Sequence, residues 1–168
     1  MPNRLTAIAP RALATTLALL ATACSTSASS LGTFKVNDKD ASLTSAVLVG
    51  MPPSGTTPRM VLVLSEKAPE PGVDPNMATL ANPNAFGAMV NVVLLKADGE
   101  DWSNPVGCDI VHPAAKNKHG DHLAADGCKL TDVSVTNGQF HAHLATTPSA
   151  KDGDDTIVID IKLNVKMP

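Results

Sequence analysis

All five histidines of this chain fall between residues 112 and 143: His112, His119, His122, His141 and His143. His141-Ala142-His143 puts two imidazoles on one face of a strand, because strand side chains alternate with a period of two. His119-Gly120-Asp121-His122 brings two more into a polar loop beside a carboxylate. Neutral imidazoles with a carboxylate suit Zn²⁺ or Cu²⁺, and a strand-borne pair plus one loop histidine supplies three ligands. The five histidines are therefore the candidate metal set. Solvated surface histidines account for the same pattern without a metal. A polar strand face accepts any hydrophilic residue, and Asp132, expected opposite His143, makes a surface ion pair worth under about 1 kcal/mol.

Other chemistry is thinner. The chain has no Gly-x-Ser-x-Gly elbow, phosphate-binding loop or dinucleotide fingerprint, so a hydrolase reading needs an unrecognised site. Asp152-Gly153-Asp154-Asp155 is an acidic turn able to touch Ca²⁺, but it lacks the spaced ligands of a dedicated calcium loop. A turn before the last strand explains it. Aromatics are scarce, limited to Phe34, Phe86, Trp102 and Phe140, and 13 Lys+Arg face 16 Asp+Glu. Stacking and phosphate contacts need the opposite balance, which argues against nucleic acid as a partner.

The elements that position these residues read as strands. With 17% charged and 43% hydrophobic residues, the chain belongs with globular rather than disordered proteins. Strands are expected over 33–36, 43–49, 60–64, 86–95 and 106–111. Asn137-Gly138 supplies both left-handed positions of a two-residue hairpin turn. Its register would pair Val135 with Phe140, Val133 with Ala142 and Thr131 with Leu144, and on the other face Ser134 with His141 and Asp132 with His143. That puts His141 and His143 on the solvent face, with Phe140, Ala142 and Leu144 buried opposite. Ile157, Ile159, Ile161, Leu163 and Val165 alternate with polar residues in a last strand, wetted on one face. One short helix is expected from Asp74 and Pro75 through Leu80, and Pro-rich loops over 50–59 and 66–85. The fold class is all-β: a single antiparallel β-sandwich of about eight strands spanning 32–168.

The first 23 residues carry Arg4 and Arg11 without an acid, then an apolar run and Ala21-Thr22-Ala23. That is the layout of a secretory signal, with an apolar stretch too short to span a membrane. Leu20-Ala21-Thr22-Ala23-Cys24 resembles the lipobox of bacterial lipoproteins, with alanine in place of the usual leucine three residues before the cysteine. The resemblance implies a lipid on Cys24, a membrane partner through that lipid, and a polar tether over 24–31. Ser25 at the next position implies outer-membrane sorting if the cell is Gram-negative; soluble export is the rival. Loss of the leader takes 13 Lys+Arg to 11 against 16 Asp+Glu, a formal charge of −5. With Cys24 lipidated, Cys108 and Cys128 remain as a pair in an oxidising compartment.

Residues 32–39, the 61–67 strand, Val111-His112, and Gly138, Leu144, Thr146 and Thr147 together resemble an uncharacterised family of secreted bacterial β-sandwich proteins. Asp38 stands where that family has glycine in its first turn, and the resemblance implies fold and location only. A His-x-His strand and a Lys118-His119-Gly120 loop are similar to parts of the Cu,Zn superoxide dismutases. There the His-x-His strand precedes the loop ligands, whereas here it follows them, so no ligand carries across. The expectation is an exported, lipid-anchored binding or structural module of the cell envelope. It has no cofactor unless the histidines hold Zn or Cu.

Overall fold

The computed structural model describes residues 30–70, 73, 82, 85–117, 120–146 and 148–168. Among them there is no helix; twelve strands form two antiparallel sheets. The expected short helix at 74–80 and the leader and tether through residue 29 lie outside the described residues.

The first sheet is organised by its last strand, β12 (Asp155–Lys166). Ile157, Ile159 and Ile161 are fully buried and Leu163 and Val165 nearly so, while Asp160, Lys162, Asn164 and Lys166 face water. Each isoleucine buried this way contributes about 1.5–3 kcal/mol. On one side β12 pairs with β1 (Gly32–Val36), whose Phe34 and Val36 point inward. Asn37 and Asp38 both adopt positive φ (51° and 61°) in the tight turn to β2 (Lys39–Asp40). Asn and Asp tolerate that region better than other non-glycine residues, which is how Asp38 serves without glycine. On its other side β12 pairs with β10 (Gln139–Ala145) and, at its start, with β11 (Ala150–Asp152).

β10 continues the hairpin to the edge strand β9 (Lys129–Thr136). Asn137 and Gly138 have φ of 53° and 73°, as the two-residue turn requires. Val135 faces Phe140 and Ser134 faces His141, as expected, but the register then shifts. His143 pairs with Thr131 and Leu144 with Leu130, so Val133 and Asp132 together oppose Ala142. The expected pairings Val133–Ala142, Asp132–His143 and Thr131–Leu144 are corrected accordingly. Asp132, at φ 54°, is the extra residue of a β-bulge, which only the local backbone conformation reveals.

The second sheet runs β3 (Ser45–Ser54), β4 (Thr57–Ser65), β5 (Met89–Lys96), β7 (Cys108–Val111), β8 (Asp121–Leu123), with the short β6 (Trp102–Ser103) beside β5. The loop expected over 50–59 is instead a strand hairpin turning at Gly55-Thr56. Pro52 and Pro53 are accommodated because β3 is an edge strand and its ladder is interrupted between Met51 and Ser54. Six consecutive residues of β4, Met60 to Ser65, are buried. Met60, Leu62 and Leu64 enter the main core, while Val61 and Val63 meet Phe86 and Met89 in a second cluster. The main core draws on both sheets, making the fold a β-sandwich.

Candidate functional site

The sandwich sends the histidines in different directions. His141 and His143 occupy the outer face of β10, opposite buried Phe140, Ala142 and Leu144, and are half-exposed. His143 Nε2 lies 2.7 Å from Asp160 Oδ1 on β12, so its acidic neighbour is Asp160 and not Asp132. His122 lies on the outward face of β8 in the other sheet, its Nδ1 2.8 Å from Asp109 Oδ1 across the β7–β8 ladder. Both pairs are open to water, which limits each to under about 1 kcal/mol. His112 is buried at the end of β7, and His119 lies outside the described residues. The four described histidines thus occupy two opposite outer faces and the interior. No group of three or more His, Cys, Asp or Glu among the described residues is gathered closely enough to be a ligand set.

Polar chemistry concentrates instead at one end of the sandwich, where the loop after β7 meets the first turn and the β11–β12 turn. Asn37 organises the junction. Its Nδ2 donates to the Ala114 carbonyl and to Asp155 Oδ1, and its Oδ1 accepts from the Thr156 N–H at 3.0 Å. Asp155 Oδ2 accepts the Lys116 N–H at 2.8 Å and, more weakly, that of Asn117. The Asn37 hydrogen bond, ahead of these backbone donors and Lys116, holds the Asp155 carboxyl below its usual range, although burial opposes them. Asp155 is thereby a fixed anion at neutral pH.

His112 packs edge-on against Phe34, with ring centroids 5.2 Å apart. Its Nδ1 accepts the Ala114 N–H at 3.0 Å, which assigns the proton of the neutral ring to Nε2. Nε2 is buried without a partner. Burial lowers its pKa, with the Glu66 carboxylate pulling it partly back. An open cleft of about 500 Å³ runs over Val111, His112, Pro113 and Ala115. Because Nε2 is shielded from solvent, the cleft does not present this imidazole to a ligand.

Asp121 is the most unusual group. It is 3% exposed, and its carboxyl finds no partner other than the neighbouring Asp155 carboxyl. Burial first, then the charges of Asp155 and Asp152 and a hydrogen bond with the Asp155 carboxyl, push its pKa up to about 6. Asp152 is oriented by the His122 N–H, which donates to its Oδ2 at 2.8 Å. Asp121, Asp152, Asp155 and Lys116 border an open cavity of about 280 Å³. Lys116 sends its Nζ to the Asp154 carbonyl oxygen at 3.0 Å. Gly120 makes the inward placement of Asp121 possible: at φ 94° a Cβ there would stand 2.8 Å from the Ile110 carbonyl oxygen.

Cys108 and Cys128 form a disulfide, with Cα atoms 6.1 Å apart, fully buried in the core. Asn104 braces it, donating to the Cys128 carbonyl at 3.0 Å and accepting the Gly107 N–H at 2.8 Å. Cys24 lies outside the described residues. The sequence flagged the 152–155 turn, but it did not single out Asn37 or Asp121 as members of one site. Asn37 and Asp155 are 118 residues apart, and nothing local announces their meeting. Comparison with protein-family models, with curated proteins and with solved structures returns no match in any of the three.

Proposed function

We propose that this chain is an exported β-sandwich module of the bacterial cell envelope, held at the membrane by a lipid on Cys24, with a binding or structural role. The observation that carries the reading is the fate of the cysteines. Cys108 and Cys128 are bonded to each other, so Cys24, directly after Ala21-Thr22-Ala23, is the one cysteine left for modification. A buried disulfide suits an oxidising compartment. The acidic balance favours partners other than polyanions. Ser25 supports sorting to the outer membrane in a Gram-negative cell.

Expression in bacteria fed a labelled fatty acid tests this. The wild type is expected to take up label and sediment with membranes, while Cys24→Ala stays unlabelled and soluble. A soluble, unlabelled wild type with an intact Cys24 thiol overturns the proposal.

A further inference from the structure

We propose that the outer face of the first sheet rests on the anionic phospholipid headgroups of the membrane into which the lipid on Cys24 inserts. The proposal rests on the anchoring reading and adds which face of the sandwich meets the bilayer. The strand registers place Lys162 and Lys166 of β12, Lys151 of β11, Lys129 of β9 and Lys35 of β1 on this face, beside His141 and His143 and away from the core. Lys35 is paired with Asp40 at 3.1 Å. Asp160, the other carboxylate that the registers place there, is engaged with His143, and Asp132 lies off register on the edge bulge. Lys129, Lys151, Lys162 and Lys166 are exposed and make no ion pair among the described residues.

Two observations make a bilayer the occupant. The first is charge. The chain as a whole has more acid than base, yet lysine predominates here, while Asp98, Glu100, Asp101 and Asp109 belong to the second sheet or its connections. Four separated ammonium groups attract a free polyanion only weakly. A leaflet that already holds the protein by its lipid is different, because the anchor makes the encounter intramolecular and each lysine near the anionic surface adds attraction. The second observation is reach. Gly32 enters β1 opposite Ile161, the residue before Lys162. The eight chain steps from Cys24 to Gly32 span at most about 29 Å, so the acyl chains stay close to this face. The outer face of the second sheet lies beyond the core, about 10 Å farther away, and turns Asp109 to solvent.

The test uses the chain purified from bacterial membranes and placed in vesicles of phosphatidylcholine, either alone or with about 30% phosphatidylglycerol. A water-soluble acylating reagent followed by peptide mass spectrometry reads each lysine. With phosphatidylglycerol present, labelling of Lys129, Lys151, Lys162 and Lys166 should slow about threefold or more. Lys67, just past β4, and Lys96, closing β5, should keep their rates. Sodium chloride at about 0.5 M, which shortens the Debye length to about 4 Å, should restore the four rates. Lys162→Glu with Lys166→Glu, both at exposed positions, should remove the protection of Lys129 and Lys151 without moving the unfolding midpoint. Equal labelling in the two vesicle types, protection of Lys67 and Lys96 instead, or protection that survives the charge reversal overturns the docking face and leaves the anchor standing. The mass of the N-terminal peptide reads the anchor separately: a chain without lipid overturns both.

Discussion

His143 and Asp121 both lie on strands near other ionisable side chains, yet they sit in opposite environments. His143 stands on the outer face of β10, in reach of Asp160 and water. Asp121 points inward at the end of the sandwich, beside two further carboxylates, one of which, Asp155, is its hydrogen-bond partner. The outer face is tolerant because solvent satisfies whatever the neighbours do not. The sandwich end is not, since each buried polar group there needs a partner from a distant part of the chain. Clustering of chemically capable residues along a sequence therefore says less about binding than the satisfaction of each group in the fold.

The largest effect expected comes from the crosslink in the core. Replacing Cys108 and Cys128 together by alanine should cost about 3 kcal/mol, the loop-closure entropy of a bridge spanning 20 residues. Urea unfolding of the double variant beside the oxidised wild type measures this. Asn37→Ala comes next, at about 2–3 kcal/mol. It strands Asp155 and the Ala114 and Thr156 backbone groups, and it places alanine at φ 51°. A loss below about 0.5 kcal/mol would show that the sandwich end is as tolerant as the outer face.

The pH dependence separates the regions further. Asp121 binds its proton more tightly folded than unfolded, so its stabilising contribution is complete below about pH 4. That contribution is lost as pH rises through about 6. With the open cavity screening the group, the decline should amount to about 1–2 kcal/mol. His112 acts oppositely: its pKa is lowered in the fold, so its contribution is present above about 6.5 and lost on acidification. Asp121→Asn should abolish the Asp121 decline and leave stability rising with pH over the same interval. Unfolding midpoints collected from pH 4 to 8 read both slopes. The smallest effect belongs to the outer face. His141→Ala with His143→Ala should cost about 0.5–1 kcal/mol, the worth of one half-exposed pair with Asp160.

What could be read from the sequence follows the same division. The alternation of β12 and the Asn137-Gly138 turn are local signals, and they placed Ile157, Ile159, Phe140 and the two outer-face histidines on their correct faces. The bulge at Asp132 was not legible, because aspartate gives no pattern signal for an extra residue, and three pairings moved with it. Pro52 and Pro53 read as loop because proline breaks central ladders, and edge position is a tertiary property. The cysteine pairing followed from setting Cys24 aside through the lipobox resemblance, which left Cys108 and Cys128 to each other. The Asn37–Asp155–Lys116 junction was not, since its hydrogen bonds span 118 and 39 residues.

The outer face tolerates change and the sandwich end does not, because only the latter buries polar groups whose partners come from distant parts of the chain. Urea unfolding of Asn37→Ala beside the double variant His141→Ala, His143→Ala, each in the full chain with the disulfide intact, tests that most directly. Asn37→Ala should lose about 2–3 kcal/mol and the double variant no more than about 1 kcal/mol. Equal losses in the two variants, or a larger loss on the outer face, would contradict it.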